Sequence, residues 1–405
     1  MRSIKVAHVT TVDSSLRYLL LNQLKSLQQA GFEVAGISAA GAEVSLIEAS
    51  GVRHFAVSMT RNFTPLADLA SLRRLYQLMR RENFTIVHTH TPKPGLLGQV
   101  AARLAGVPII VNTLHGFYFH EHMRPAARRF YIAMEKIAAR CSDVILSQNS
   151  EDMRTAIREG ICAADKLVYL GNGIDLTVFD PNKYNFEARL RLREKLGIPE
   201  DARVVGFVGR LAARRKGFLD FLKAGEQLVK QLPNVHFLIV GDADHGKPDA
   251  VEPATARNYG IWERCHFVGQ RPNAELPSLY ALMHMLVLPS LFEGIPRVVM
   301  EASAMGVPVV ASNVKGNREA VVHGRSGLLT PLGDVPALAS AILSILDNQE
   351  LAQRMGEQGL RVACERFDEQ LVFGKVKVEY ARLLREHNLA EPQSVKAAIE
   401  KLTTT

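Results

Sequence analysis

Met285–Ser312 reads MLVLPSLFEGIPRVVMEASAMGVPVVAS. The apolar run Met285–Pro289 has the length of a buried strand, and Pro296 suits the first turn of a helix, where its missing N–H costs nothing. PVVAS then supplies a second strand. A strand, a helix and a strand in so short a span imply a parallel crossover unit, the building block of open α/β sheets. Glu293 falls in the strand-to-helix loop of that unit, and Glu301 lies one to two turns into the helix. A helix start presents free N–H groups and partial positive charge, which suits a phosphate. A carboxylate at Glu301 can accept hydrogen bonds from a vicinal diol such as a ribose. A helix-start acid beside a solvated glutamate is the plainer reading of the same pair.

The same alternation runs through the whole chain. KVAHVTTV, EVAGISAA, TIVHTHT, PIIVNTLHG, DVILSQNS and KLVYLGNG are strand-like in the first half, with helical patterns near Leu16–Ala30 and Leu66–Arg81. RVVGFVGR, HFLIVGDAD, HFVGQ, MLVLPS, PVVASN and SGLLT repeat the plan in the second half. Nearly continuous β-rich runs separated by helices imply parallel strands, so the fold class is α/β with two open sheets in tandem. The segment Asn172–Ala202 is richer in polar residues, Pro and Asn than its flanks, which puts a domain boundary near residue 180. Ligands of such sheets collect beyond the carboxyl ends of the strands, so the loops that follow each strand deserve the closest reading.

Composition narrows the classes. With 405 residues and 47% hydrophobic content the chain has the size of two globular domains. It contains no run of 18 apolar residues, and Met1 leads directly into a strand, so neither membrane spanning nor secretion is expected. Cys141, Cys162, Cys265 and Cys364 form no paired motif, so reduced thiols in the cytoplasm are expected. A net charge of +8 favours anionic partners: nucleic acid, anionic lipid or phosphorylated metabolites. Zinc-finger spacing, helix-turn-helix signatures and aromatic-basic interleaving are absent, which argues against nucleic acid. The basic residues concentrate in Leu72–Asn83 and Arg124–Arg140, amphipathic stretches that fit either an anionic membrane surface or core helices with a solvated basic side.

Five further loops bear on the chemistry. GFVGRLAARRKGF (Gly206–Phe218) ends a strand with Gly206 and Gly209, which allow close backbone approach, and then supplies Arg210 and Lys216, a planar fork and a point charge able to offset a diphosphate. LHGFYFH (Leu114–His120) sets His115 after a strand, where a structural histidine is the alternative. THTPKPG (Thr89–Gly95) offers His90 and Lys93 to an acceptor phosphate, although turn structure alone accounts for its prolines and glycine. TTVDSSLR (Thr10–Arg17) has no glycine; Ser14 and Ser15 offer hydroxyls and Arg17 a charge. GDAD (Gly241–Asp244) contains an Asp-x-Asp triplet, but one such match at the end of a buried strand is a weak metal signal.

Taken in order, GRL…KG, HFLIVGD, HFVGQ and LPSLFEGIPRVVMEASAMGVPVVAS resemble the retaining glycosyltransferases of the GT-B fold. The family is usually called family 4, or group 1, and includes capsule, exopolysaccharide and lipopolysaccharide enzymes. The resemblance covers nearly the whole chain and implies two Rossmann-like doubly wound domains facing across a cleft. Residues 1–180 would bind the acceptor and 181–375 the nucleotide sugar, with 376–405 forming a C-terminal helix packed back on the first domain plus a tail. It implies that Arg210 and Lys216 hold the diphosphate, Glu301 the ribose and Glu293 the donor sugar. Gly209, Gly294, Ile295 and Pro296 would contribute close backbone, Gln270 and Arg271 would flank the base, and His115 would reach the donor from the first domain. The implied reaction is sugar transfer from a nucleoside-diphosphate sugar, with UDP the expected nucleotide, to a glycan or lipid-linked acceptor at the inner membrane face. It would proceed with retention and without metal or other cofactor. A nucleotide-sugar epimerase of the same fold and a basic nucleic-acid-binding protein, the latter disfavoured, are the rivals, and an inactive carbohydrate-binding relative is a third.

Overall fold

The computed structural model describes residues 3–60, 64–119 and 123–392 and divides the chain into two compact units. The first takes the residues up to Gly171 and again from Gln370; the second is Asn172–Glu369. The tail beyond residue 392 and His120 of the LHGFYFH stretch lie outside the described residues. No described helix is long and apolar enough to cross a membrane.

The first unit is built on seven strands: β1 (Lys5–Val12), β2 (Glu33–Ala39), β3 (Arg53–Ala56), β4 (Ile86–His90), β5 (Ile109–Leu114), β6 (Val144–Ser147) and β7 (Leu167–Tyr169). All pair in parallel in the order β3-β2-β1-β4-β5-β6-β7, so the winding reverses between β1 and β4. Six of the seven follow from the apolar runs. β3 does not, because RHFA is a four-residue edge strand with no fully buried position to leave a hydrophobic pattern. Helical structure begins at Asp13, immediately after β1, and passes through a π-helical turn at Leu16–Leu20. Ser14 and Ser15 therefore lie in a first helical turn rather than a loop.

The two sheet faces carry separate cores, as strand alternation requires. Val9, Val87 and Ile110 share one core with Leu75 and Met79 of the helix Pro65–Glu82 and Ala101 of the helix Pro92–Ala105. Val6, Ile86 and Val111 pack against the C-terminal helix Glu369–Glu386, which buries Phe373, Val376, Tyr380 and Leu384. That helix runs unbroken through residues 375 and 376, and the return to the first unit comes at Gln370. Its apolar stripe starts at Val372, so a boundary at 376 would cut the stripe.

The second unit has six strands: β8 (Arg203–Val208), β9 (Val235–Val240), β10 (Cys265–Gly269), β11 (Met285–Leu288), β12 (Val309–Ser312) and β13 (Gly327–Thr330). They too are parallel, ordered β10-β9-β8-β11-β12-β13, with the reversal between β8 and β11. The polar segment that suggests a boundary near 180 belongs to this unit from Asn172 onward. Ile174, Phe179, Ile198 and Ala202 are buried in its core, so a few apolar anchors outweigh a polar average.

Candidate active site

In the second unit the reversal point is where two neighbouring loops diverge from adjacent strands and leave a crevice. The loop after β8 carries Gly209, Arg210 and Lys216; the loop after β11 carries Glu293 to Pro296. Lys216 Nζ donates to Glu293 Oε1 at 2.6 Å, with the two side chains only 19% and 12% exposed. Two residues singled out separately in the sequence thus meet in one charge-assisted contact, the strong kind of hydrogen bond.

Several contacts hold these loops to one another. Leu291 N–H donates to the Arg215 carbonyl at 3.2 Å, and the Arg215 guanidinium lies 5.2 Å from the centre of the Phe292 ring. Asp249 accepts from the backbone N–H groups of Arg214 and Arg215, each at 2.9 Å, so an acid shapes the basic loop through its backbone. Gly217 sits at φ 68°, and a Cβ there would lie 1.9 Å from the Pro289 carbonyl oxygen. A side chain at Gly217 would therefore drive the two loops apart.

Arg210 is nearly half exposed and pairs with Asp244 at 2.7 Å. The other acid of GDAD, Asp242, accepts the Gln270 N–H at 2.8 Å and so binds the end of β9 to the loop after β10. Both aspartates have local partners that account for the triplet. Arg271 donates through Nε to the Val268 carbonyl at 2.8 Å and lies 3.6 Å from Glu275, bent back along its own loop. Gly209 adopts φ 147°, with open space above it out to the Lys216 methylenes 4.0 Å away. Gly206 differs from expectation: it lies within β8, and a Cβ there would strike Met283 Sδ at 2.1 Å, so its smallness serves core packing.

Beyond Glu293 the chain enters the helix Arg297–Ala304 with Pro296 as N-cap, one position earlier than a first-turn proline, and no side chain caps that end. Ile295 is buried in the core. Glu301 is 3% exposed; its Oε2 accepts from the Tyr280 hydroxyl at 2.9 Å, and Arg297 lies 3.7 Å from Oε1. Burial pushes the Glu301 carboxyl upward from its ordinary pKa, while Arg297 and the Tyr280 hydroxyl oppose the shift. Burial and the neighbouring carboxylate push the Tyr280 phenol well above its ordinary value, so it remains a donor. From the far side, Gly316 backs the loop so closely that a Cβ would fall 1.7 Å from the Gly294 carbonyl oxygen. Gly316→Ala should destabilise the second unit by about 2–3 kcal/mol, the usual cost of overpacking. Urea unfolding checks this, and a loss under about 0.5 kcal/mol, within the range of an ordinary surface substitution, would show that the loop yields freely.

In the first unit the sequence-derived residues gather beyond β1, β4 and β5. Thr91 at the end of β4 holds φ 67°, unusual for a β-branched residue, and its hydroxyl lies 3.1 Å from that of Thr11 at the end of β1. Lys93 is 5% exposed, 2.5 Å from Asp68 Oδ1 and 2.6 Å from the Thr60 hydroxyl. This position departs from an outward acceptor-phosphate contact: the helix starts at Pro92 without a loop, which turns Lys93 under the neighbouring helix. His90 likewise is internal, 1% exposed, with its nitrogens at hydrogen-bond distance from His8 and His115. Ser14 and Ser15 are partly buried; Ser14 N–H and Glu43 N–H both donate to Asp13 at 2.8 Å. His115 follows β5 and is partly exposed; its imidazole is also hydrogen-bonded by Gln148, and loss of hydration lowers its pKa to about 4.

Asp249, Tyr280 and Gly316 escaped the sequence reading. An Asp and a Tyr in otherwise unremarkable segments give no local sign of partners about 20 to 35 positions away. Gly316 within KGNREA carries the one usable hint, since glycine is disfavoured inside a helix unless something packs against it.

Two doubly wound parallel sheets in tandem form the GT-B type of α/β fold. Residues 18–178 match the model described as Glycosyltransferase Family 4, and residues 188–362 match Glycosyl transferases group 1. The chain is 32% identical to the Escherichia coli UDP-Gal:alpha-D-GlcNAc-diphosphoundecaprenol alpha-1,3-galactosyltransferase, over 86% of this chain and 89% of the relative. It is 26% identical to the Staphylococcus aureus capsular polysaccharide biosynthesis glycosyltransferase CapM, over 95% and 99%. Among solved structures, Anabaena HepE in complex with UDP-glucose superposes with a TM-score of 0.79 at 23% identity, over 94% of this chain and 100% of that one. The chain belongs to the family 4 glycosyltransferases, and is an enzyme that uses a nucleotide-sugar donor in polysaccharide-related biosynthesis.

Proposed function

We propose that the enzyme transfers a sugar from a UDP-sugar to a lipid-linked or growing glycan, with retention at the anomeric carbon and without a metal. The observation that carries this is the 2.6 Å contact between Lys216 and Glu293 at the reversal point of the second unit. It sets the cation that would meet the diphosphate beside the acid that would meet the donor sugar. Arg210, paired with Asp244, supplies a second cation on the same loop. As the bond from sugar to diphosphate lengthens, negative charge grows on the departing phosphate oxygen, and both cations stabilise it more than they stabilise the ground state. The acceptor hydroxyl attacks from the face the diphosphate leaves, and the departing oxygen takes its proton. Glu293 orients the sugar and supports positive charge on its ring; Glu301, held by Tyr280, binds the ribose hydroxyls.

UDP is favoured because the Escherichia coli relative uses UDP-Gal and HepE binds UDP-glucose. The lipid-linked acceptor is favoured by the diphosphoundecaprenol in that relative's name and by the surface of the first unit. There Leu66 and Leu69 are 88% and 65% exposed on a helix that also carries Arg73, Arg74, Arg80 and Arg81. Phe130 and Ile137 are exposed beside Arg129 and Arg140 on the helix Pro125–Cys141. Both helices pack against Pro92–Ala105. Exposed apolar side chains among arginines fit an anionic membrane face and a cytoplasmic, peripheral enzyme.

UDP at a hundred times its dissociation constant should stabilise the protein by about 2.7 kcal/mol. Thermal unfolding with a panel of nucleotides checks this, and Glu301→Ala should remove most of the shift. A panel in which no nucleoside diphosphate or nucleotide sugar raises Tm would sink the donor assignment. Conversion of a UDP-sugar in the absence of acceptor into its epimer would favour the epimerase rival.

A further inference from the structure

Beyond the donor loops, the first unit holds a line of polar rings, buried from His90 inward, for which the transfer mechanism has no stated use. Starting at His115, Nε2 lies 3.1 Å from His90 Nδ1, and His90 Nε2 lies 2.9 Å from His8 Nδ1. His8 Nε2 is 3.3 Å from the Tyr380 hydroxyl, which is 2.7 Å from His88 Nδ1; His88 Nε2 ends the line 2.7 Å from the Thr113 hydroxyl. Strand register builds it: His8 pairs with His88 and His90 with Thr113, and His88 and His90 share one strand face two positions apart. Tyr380 comes from the C-terminal helix that covers that face. His8 and His88 are fully buried and His90 is 1% exposed.

A shared metal is the first alternative, because His8, His88 and His90 offer atoms within 4.8 Å of one another. The ring geometry opposes it. His88 and His90 stack at 4.3 Å with 24° between their planes, so their in-plane lone pairs run side by side instead of converging, and every nitrogen of the three already faces a hydrogen-bond partner.

A neutral imidazole has one N–H and one lone pair, so each ring in the line must donate on one side and accept on the other. Three arrangements satisfy every link, because a phenol oxygen can accept twice. In one, Tyr380 donates to His8, His8 to His90 and His90 to His115, which leaves His115 protonated on Nδ1; His88 donates to Tyr380. In the second every arrow is reversed, and His115 is protonated on Nε2. In the third, His8 and His88 both donate to the Tyr380 oxygen, and His115 is again protonated on Nε2. The Tyr380 hydroxyl is the branch point, since only its donation to His8 places the His115 proton on Nδ1. We propose that Tyr380, acting through His8 and His90, fixes the tautomer of His115, and that these three are positioning residues for that imidazole. The proposal rests on His115 taking part in the transfer, as the resemblance to the family implies.

The test combines tautomer and turnover. Histidine-selective ¹⁵N labelling of the full chain should show His115 in one tautomer, with one protonated and one unprotonated ring nitrogen. In Tyr380→Phe the His115 signals should move to averaged values, and kcat should fall about tenfold, which corresponds to about 1.4 kcal/mol of transition-state stabilisation, while KM for the nucleotide sugar stays unchanged. His8→Gln, which can still donate and accept, should retain more turnover than His8→Leu, and this comparison covers the case in which Tyr380→Phe fails to fold. A folded Tyr380→Phe with unchanged His115 signals and unchanged kcat would overturn the relay, as would equal turnover in the two His8 variants. His115→Ala separates the two levels: full activity there would remove His115 from the reaction, while the tautomer measurement would still report on the chain of rings.

Discussion

Replacing Lys216 by alanine should lower kcat by about two to three orders of magnitude, the loss seen when one preorganised donor to a developing oxyanion is removed. The effect should fall on kcat rather than on KM, because the lysine meets more negative charge as the leaving group departs than it meets in the bound donor. Lys216→Arg should recover only part of it, since a planar fork cannot occupy the position of an ammonium seated 2.6 Å from Glu293 Oε1. Loss of the lysine also leaves a largely buried carboxylate without its partner. A double-mutant cycle with Glu293→Gln should therefore show a coupling of about 1–3 kcal/mol in stability. Steady-state kinetics with the donor found by thermal protection decides the matter. Turnover within about threefold of wild type, a loss below 1 kcal/mol of transition-state stabilisation, would remove Lys216 from the mechanism.

A second large effect concerns acid. Burial lowers the pKa of His8 to about 3 and of His115 to about 4, and it holds His88 and His90 well below 6.5. The charges that add to these shifts at His88 and His90 are those of the other histidines in the same cluster. In the unfolded chain each would titrate near its ordinary value of about 6.5. Between the folded and unfolded values the unfolded state therefore binds more protons. Stability is fully present above the unfolded pKa and is lost as pH falls through 6.5 toward the folded values, by up to about 1.4 kcal/mol per pH unit for each histidine. Four such groups acting together would lose several kcal/mol over one unit, comparable with the whole stability of many domains. Urea unfolding of the first unit, followed by hydrogen exchange in β4, should be flat from pH 8 to 7 and steep below 6.5. A midpoint that holds constant down to pH 5 would mean that the histidines are hydrated or already protonated in the fold.

Features carried by local pattern were legible in the sequence. Apolar runs such as MLVLPS and HFLIVGD announce buried parallel strands. Glycines beside charged residues in GFVGRLAARRKGF and LFEGIPR mark loops that must approach something closely, and the structure joins those loops through Lys216 and Glu293. Features that depend on which element lies across the sheet were not legible. Lys93 looks like a free cation in THTPKPG until the helix start at Pro92 turns it onto Asp68. VHTHT reads as two histidines on a strand, but only the register of β1, β4 and β5 and the return of the C-terminal helix reveal that they connect His115 to Tyr380. The unit boundary was displaced for a similar reason, since polarity averaged over thirty residues conceals anchors such as Ile174 and Phe179.

The late return of the chain has a bearing on biosynthesis. A nascent chain emerging amino-terminus first exposes the sheet face of Val6, Ile86 and Val111 long before Phe373, Val376 and Leu384 are made to cover it. About 200 residues of the second unit are translated in the interval, which takes roughly 10–40 s at ordinary elongation rates. During that time the first unit is an open-faced sheet with its histidines unclosed, a natural client for a holdase chaperone. Chains arrested before Gln370 should be captured by such a chaperone, and chains released after Glu386 should escape it.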